Sequence, residues 1–516
     1  MESYSLGLFM FMWALAFVLT RIGLFVMFKK AGQPAWTAFL PIISWWFWIK
    51  LVGRPWWYMI GMVIPCINIL FSFNITLDLL RSFGQFKFWQ HFTGILFTFI
   101  YLPVLAMRQD LTFMGPGGDA EWRKNNIPKH SGTREWADAL LFAAYVAGGM
   151  RALFFDFFVI PTPSMEGNLK VGDFLVVSRV KVGMRIPMTP ITVPVIAHKE
   201  LMGISAFSDA VQLPYMRLPG WYTIKNNDVV VFNWPADGEE FPVDKKDNYV
   251  KRCVGIPGDS LKIVNSAVMV RKKGENWTTL AVVGKQQKRY LLLMNEPITS
   301  DFLVRNELGD FTIPIKATEY IQAAEKRGKK LIPYTIFTWK ENAEKIKKDP
   351  AVGSLFEDIA DDGMSVSLFP DTANNLYFRH KWSLNDYGPV YLPKRGETIT
   401  LTKENWDWYR LAVNRYEQAG ITWDGNGFVQ GDKKVTSYTF KYGYYWMMGD
   451  NRYNSSDSRY WGYVPEDHVV GKPLFTFFSL KKVIKIDETG LPYIQENNME
   501  YETKGIRWDK IFKGID

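Results

Sequence analysis

The sequence predicts a multi-span α-helical membrane region followed by a predominantly β domain that carries an inserted α+β subdomain. Long uncharged apolar runs crowd the first hundred or so positions. A loop rich in Lys and Arg follows them. From Phe174 onward, short alternating or β-branched runs are separated by Gly, Pro, Asp and Asn. With 516 residues and 48% hydrophobic content, the chain is too apolar for disorder and long enough for more than one folded module.

Residues 6–28 are apolar apart from Arg21 and lack a small-residue cleavage site. They are long enough to cross the roughly 30 Å hydrocarbon layer, so they predict a span and not a removable leader. Residues 57–77 and 92–107 are the next candidates. Lys29, Lys30, Arg81, Lys87 and Arg108 stand at the ends of the runs, and Trp56, Trp57 and Trp89 suit the interface. Residues 35–49 are Trp-rich but short, and fit an interfacial or re-entrant segment as well as a crossing. The last candidate, residues 136–160, follows the loop 108–134, where Arg123, Lys124, Lys129 and Arg134 give the strongest positive-inside signal. About four spans result with the N-terminus outside, and a fifth crossing reverses the early part.

The expected order is a polytopic membrane module (1–108), a basic cytoplasmic loop (109–135), a transmembrane anchor (136–160), an extracytoplasmic β domain (161–480) and a C-terminal extension (481–516). Residues 174–180, 228–232, 261–270 and 435–442 read as strands. Residues 318–328 and 340–348 are charge-rich and helix-forming, and they place an inserted subdomain at about 275–430. No internal repeat or low-complexity tract occurs.

Composition excludes several function classes. The net charge of +9 is not gathered into a stripe with stacking aromatics, so nucleic acid is not an expected partner. Two cysteines, Cys66 and Cys253, are too few for a disulfide framework. The five histidines include no helical metal spacing, so neither a metal nor any other cofactor is expected.

Three blocks carry chemistry. Residues 160–166, Ile-Pro-Thr-Pro-Ser-Met-Glu, set Ser164 on proline-restricted backbone just after the last apolar run; a plain turn after a helix is the bland alternative. Residues 249–259 place Lys251 in a strand-like run, where it shares a face with Tyr249 and Cys253 and points opposite to Val250 and Arg252. One of the two neighbouring cations then faces inward, unless both are solvated on an edge strand. A lysine can take a serine's proton only when desolvation lowers its pKa far below about 10.4. Residues 447–462 pack two acids, two arginines and small polar residues between Met447, Met448, Tyr460 and Trp461, a composition suited to a hydrogen-bonded turn lining a site.

Together these blocks resemble the type I signal peptidase family, through residues 158–177, 227–235, 249–259 and 447–472 in the family's order. The resemblance implies a signal-peptidase-like β fold in which Ser164 is the nucleophile and Lys251 its general base, a Ser-Lys variant of triad logic. It implies an oxyanion site made by the Ser164 N–H and the Thr162 hydroxyl, with Ser455 orienting the lysine and Asp457, Arg459 and Asp450 in support. Ile160, Met165 and Phe158 are the expected walls of shallow pockets for small side chains, the substrate lying as an added strand. The implied partners are signal-peptide-bearing preproteins, the lipid bilayer and, transiently, the export machinery. The implied location is the bacterial inner membrane, multi-pass, with the catalytic domain on the periplasmic side.

The chain departs from the family at Pro163 and at Glu166-Gly167-Asn168, and its early region (31–36 and 53–57) looks like a fused small membrane module of unknown role. Two rivals stand beside this reading. One is a self-cleaving Ser-Lys protein of the repressor class, disfavoured by the apolar runs. The other is a catalytically silent membrane-anchored β domain that binds extracytoplasmic polypeptides, disfavoured by the intact Ser164, Lys251 and Ser455.

Overall fold

The computed structural model of the chain describes residues 2–64, 67–128, 131–192, 199–201, 204–312, 331–357, 368–371, 380, 382–487, 491–492, 494–495 and 498–515. The chain divides into two compact units, Met1–Phe155 with Ile186–Met216, and Asp156–Arg185 with Arg217–Asp516. Cys66, Lys129 and the helix-forming stretch 318–328 lie outside the described residues.

The first unit is helical: α1 (Glu2–Lys30), α2 (Pro41–Leu51), α3 (Tyr58–Val63), α4 (Ile67–Ser82), α5 (Phe88–Leu96), α6 (Thr98–Met107), α7 (Ala120–Asn126) and α8 (Gly132–Leu153). Leu24, Phe28, Val52, Leu79 and Leu102 are fully buried at its centre. Gly23 allows α1 and α6 to approach closely, since a methyl there would stand 2.8 Å from the Leu102 carbonyl carbon. Asp78, buried, accepts from Arg54 Nε at 2.7 Å and from Arg81 Nη1 at 3.3 Å.

The multi-span expectation is corrected here: among the described residues, no helix is long and apolar enough to cross a membrane. The apolar runs are real, and the backbone cuts every one after the first, which lies within α1. The run 57–77 is shared between α3 and α4, and the run 92–107 breaks at Phe97 (φ −122°, ψ 42°), with Pro103 inside α6. The run 136–160 ends as a helix at Leu153 and continues as a strand, and α8 carries Glu135 and Arg151. In the first run, the side chains of residues 6–10, 12 and 13 lie outside the described ones. Many large apolar side chains of this unit are nonetheless exposed, among them Phe11, Trp36, Trp56 and Met107.

The second unit is β-rich. Among the described residues its main sheet has nine strands. They include β1 (Phe155–Val159), β2 (Asp173–Ser178), β3 (Val229–Asn233) and β4 (Asn248–Gly255). After the hairpin β5 (Asp259–Val264) and β6 (Ala267–Lys272), which belongs to a second sheet, and β7 (Lys288–Met294), which belongs to a third, the main sheet resumes with β8 (Tyr444–Met448), β9 (Val464–Pro465) and the long β10 (Val469–Ile484). The order across it is β1, β2, β10, β3, β4, β8, β9. Antiparallel register sets Val230 opposite Lys251 and Val229 opposite Arg252, while β8 sets Met447 opposite Cys253. Branched and sulfur-bearing residues fit this pleated, buried surface.

Two of the expected strands come out differently. The run 261–270 is a hairpin, because Asn265 (φ 49°) and Ser266 (φ 67°) form a two-residue turn with both residues left-handed. The run 435–442 is split: Val435 ends one strand and pairs with Phe428, while Ser437–Thr439 forms another against Thr398–Thr400. The stretch 340–348 is helical over Lys340–Ile346, as expected, and contributes Ala343 and Ile346 to a core shared with Leu292, Phe311 and Ile336.

Candidate active site

Ser164 sits in a single 3-10 turn, Pro163–Met165, a few residues beyond β1. Pro163 pre-sets φ at the first position, where no donor is needed. The loop after β8 holds this turn. The Asn451 N–H donates to the Ser164 carbonyl at 3.1 Å, and Asn451 Nδ2 donates to the Pro163 carbonyl at 3.3 Å. Gly449 lies against the same carbonyl, close enough that a methyl would stand 2.5 Å from Ser164 O.

Strand alternation sends Lys251 and Arg252 to opposite faces of β4, and both are buried, at 4% and 1% exposure. Lys251 faces inward as alternation allows, the solvated-pair alternative does not hold, and the opposite face carrying Arg252 is covered as well. Arg252 is buried because Asp450 receives it in two bonds, Nε to Oδ1 at 2.7 Å and Nη2 to Oδ2 at 2.8 Å. Among the described residues, no carboxylate accepts a hydrogen bond from Lys251. Its Nζ donates to Ser164 Oγ at 2.6 Å and lies 5.4 Å from the Tyr249 ring centre. Burial drives the Lys251 amine down from 10.5 to about 8, against the upward pull of Asp457 and Asp450 and with a smaller downward push from Arg459.

Thr162 Oγ1 is 3.5 Å from Ser164 Oγ, so the two hydroxyls share one corner. Ser455 Oγ is buried with no hydrogen-bond partner among the described residues, and no bond joins it to Lys251. Asp457 and Arg459 form a fully buried pair at 2.8 Å, and Asp457 also accepts from the Gly449 N–H at 3.1 Å. Burial opposes ionisation of Asp457, but the Arg459 guanidinium outweighs it and holds the carboxyl below its usual range. The Arg459 guanidinium returns to the Arg452 carbonyl at 2.5 Å, closing the loop on itself.

A cleft of about 340 Å³ opens over the pair and is lined by Phe158, Ile160, Thr162, Ser164, Tyr249 and Lys251. Met165 is not among its walls: it is fully buried in a core with Leu169, Leu175 and Val231, because the turn rotates it inward. Sequence reasoning passed over Asn451, Asn168 and the pairing of Arg252. Asn168 Nδ2 donates to Asp450 Oδ2 at 2.5 Å, tying the segment after Ser164 to the same loop. Their only signal was an amide or a cation inside an otherwise apolar or acidic block. Among the described residues no group of three or more His, Cys, Asp or Glu could hold a metal ion.

A buried amine lowered toward neutrality and hydrogen-bonded to a serine hydroxyl, with a second hydroxyl beside it, can remove a proton from that serine and stabilise charge on an attacked carbonyl. Comparison with known proteins points the same way. Residues 133–321 and 397–478 match the family described as "Signal peptidase, peptidase S26". The chain belongs to that family. It is a serine endopeptidase that removes N-terminal signal peptides from preproteins.

Among similar family members, the signal peptidase I of Aquifex aeolicus is 54% identical over 203 residues, 33% of this chain and 74% of the relative. That of Buchnera aphidicola (from Acyrthosiphon pisum) is 25% identical over 347 residues, 64% of this chain and 71% of the relative. That of Helicobacter pylori strain J99 is 23% identical over 366 residues, covering 70% and 85%. Residues 36–116, outside the signal peptidase match, fit a family of unknown function, DUF5684.

Proposed function

We propose that this signal peptidase works through Ser164 as nucleophile and Lys251 as general base. The observation that carries the reading is the 2.6 Å hydrogen bond between Lys251 Nζ and Ser164 Oγ, made by an amine that burial lowers to about 8. The neutral amine accepts the hydroxyl proton as Oγ attacks the scissile carbonyl. The resulting oxyanion takes hydrogen bonds from the Ser164 N–H and the Thr162 hydroxyl, and each such donor is worth about 2.7–4 kcal/mol of barrier. The lysine ammonium then protonates the leaving amine, which departs as the mature N-terminus and leaves the signal peptide as an ester on Ser164. Water, deprotonated by the same amine, cleaves that ester.

In this reading Phe158 and Ile160 shape shallow pockets for small side chains before the cut, and the substrate lies extended beside them. Asp457, Arg459 and Asp450 act indirectly. They fix the loop that holds the Ser164 turn and keep charge balanced around the lysine. Ser455 orients the amine only once substrate reshapes the site, because its hydroxyl is unengaged here. The enzyme acts in contact with lipid on the extracytoplasmic side of the bacterial inner membrane, where exported preproteins emerge from the export machinery. The exposed Phe11, Trp36, Trp56 and Met107 support lipid contact.

The test is processing of a leader-bearing precursor by Ser164→Ala and Lys251→Ala proteins. Each is expected to lose cleavage while keeping the wild-type circular dichroism spectrum. Cleavage by a folded Lys251→Ala protein at the wild-type rate removes the dyad. Retained precursor binding without cleavage in wild type favours the silent binding domain instead.

A further inference from the structure

The loop 306–310, far along the chain from Ser164, lies against the segment that follows that serine. Lys170 Nζ donates to Glu307 Oε2 at 3.2 Å. A methyl on Gly309 would stand 2.0 Å from Glu166 Oε2. Asp310 Oδ2 then accepts from Asn454 Nδ2, on the loop after β8, at 2.6 Å. Packing anchors this loop from behind. Leu308 and Phe311 are buried in a core with Leu292, Tyr334 and Ile336, and Phe311–Thr312 pairs with Ile336 and Thr335.

Asn454 precedes Ser455 and is one wall of the catalytic cleft, together with Phe158, Ile160, Ser164 and Lys251. An ionised carboxylate only accepts, so the contact with Asp310 fixes which end of the Asn454 amide is nitrogen. Burial raises the Asp310 carboxyl to about 6, against the pull of the Asn454 hydrogen bond, and it is ionised at the pH where the Lys251 amine, at about 8, turns neutral. Its Oδ1 is buried without a partner, and among the described residues Asn454 is the only side chain that bonds to this carboxylate. A buried charge answered so sparsely holds its side-chain donor firmly.

The other end of the amide, Asn454 Oδ1, makes no hydrogen bond among the described residues and is not closed off from solvent. An extended peptide entering a cleft walled by Phe158 and Ile160 gives up water at its backbone N–H groups, and each one left without an acceptor weakens binding. An amide oxygen held in direction by the acid behind it meets that need.

We infer that Asn454 Oδ1 binds a backbone N–H of the substrate in this cleft, and that Asp310 is the positioning residue that turns the oxygen toward it. The inference rests on the cleft over Ser164 and Lys251 being the substrate site. It makes the loop 306–310 a determinant of how the peptide is seated before the cut.

The test is kcat and KM, measured separately on a peptide spanning the cleavage site of a leader-bearing precursor, with the full chain in detergent and above the Lys251 titration. Asn454→Ala should raise KM about five- to tenfold, the loss of one hydrogen bond, with kcat within about twofold of wild type. Asp310→Leu removes the acceptor without leaving a buried charge and should do the same; Asp310→Ala decides where the leucine variant does not fold. Asp310→Asn, whose carbonyl can still take the Asn454 side-chain N–H, should stay within about twofold of wild type. The double variant Asp310→Leu with Asn454→Ala should be no worse than Asn454→Ala alone, because both act through one contact. Among peptides N-methylated at single positions, one should raise KM in wild type and add nothing in Asn454→Ala. An unchanged KM in Asn454→Ala, losses confined to kcat, or additive losses in the double variant overturn the inference. The dyad fails separately, by cleavage in Lys251→Ala.

Discussion

Replacing Gly449 by alanine tests whether the loop after β8 positions Ser164 by direct contact. A methyl at this position would stand 2.2 Å from Ser455 Oγ and 2.5 Å from Ser164 O, where ordinary contact begins at 3.4 Å. Ser455 can rotate away, since its hydroxyl holds no hydrogen bond. Ser164 O cannot, because it is backbone and is held by the Asn451 N–H. Relief therefore needs movement of about 1 Å by the loop or by the Ser164 turn, and a misplacement of that size can cost on the order of 100-fold in rate. Overpacking of this kind also destabilises by about 1–3 kcal/mol.

The assay is kcat/KM on a leader-bearing precursor, with unfolding followed in parallel. Gly427→Ala serves as the control, because nothing lies within 4 Å of the added methyl there. Gly449→Ala is expected to lose about two orders of magnitude in kcat/KM with KM little changed, and Gly427→Ala to match wild type. A folded Gly449→Ala enzyme within threefold of wild type would refute the contact as the positioning device.

Two further outcomes follow from the charges around the site. Because burial lowers Lys251 to about 8, the amine is largely protonated below that pH and cannot accept a proton; kcat/KM should rise about tenfold per pH unit below 8 and level off above it, and an acid limb centred near 10 contradicts this. Asp450→Asn removes the carboxylate from a buried Arg252 and should destabilise the second unit by about 3–5 kcal/mol in denaturant unfolding; a change under about 1 kcal/mol means the pair contributes little.

The chemistry of the site was more legible than its surroundings. Period-two alternation put Lys251 and Arg252 on opposite faces, which is how β4 presents them, but alternation carries no information about whether the second face is covered. Arg252 is covered because Asp450, far along the chain, meets it, and no local pattern records that pairing. The hairpin at Asn265-Ser266 was hidden because its flanking residues continue an apolar run and its turn lacks glycine. Met165 was misplaced among the cleft residues because a single 3-10 turn rotates side chains by an amount that neither a strand nor a helix period describes. Hydropathy located the apolar runs of the first unit correctly but not where backbone geometry would divide them, as at Phe97.

Adjacent positions on β4 give two basic side chains opposite electrical fates: one is dried until it can shed its proton, the other is clamped by an acid so that it never does. A slip of one place in the pairing of β4 that set Arg252 in the slot of Lys251 would present a permanently cationic guanidinium to the serine and leave Cys253 where Asp450 now meets Arg252. The hydroxyl would then face a group with no lone pair to offer, so hydrolysis in this fold is tied to the parity of a strand.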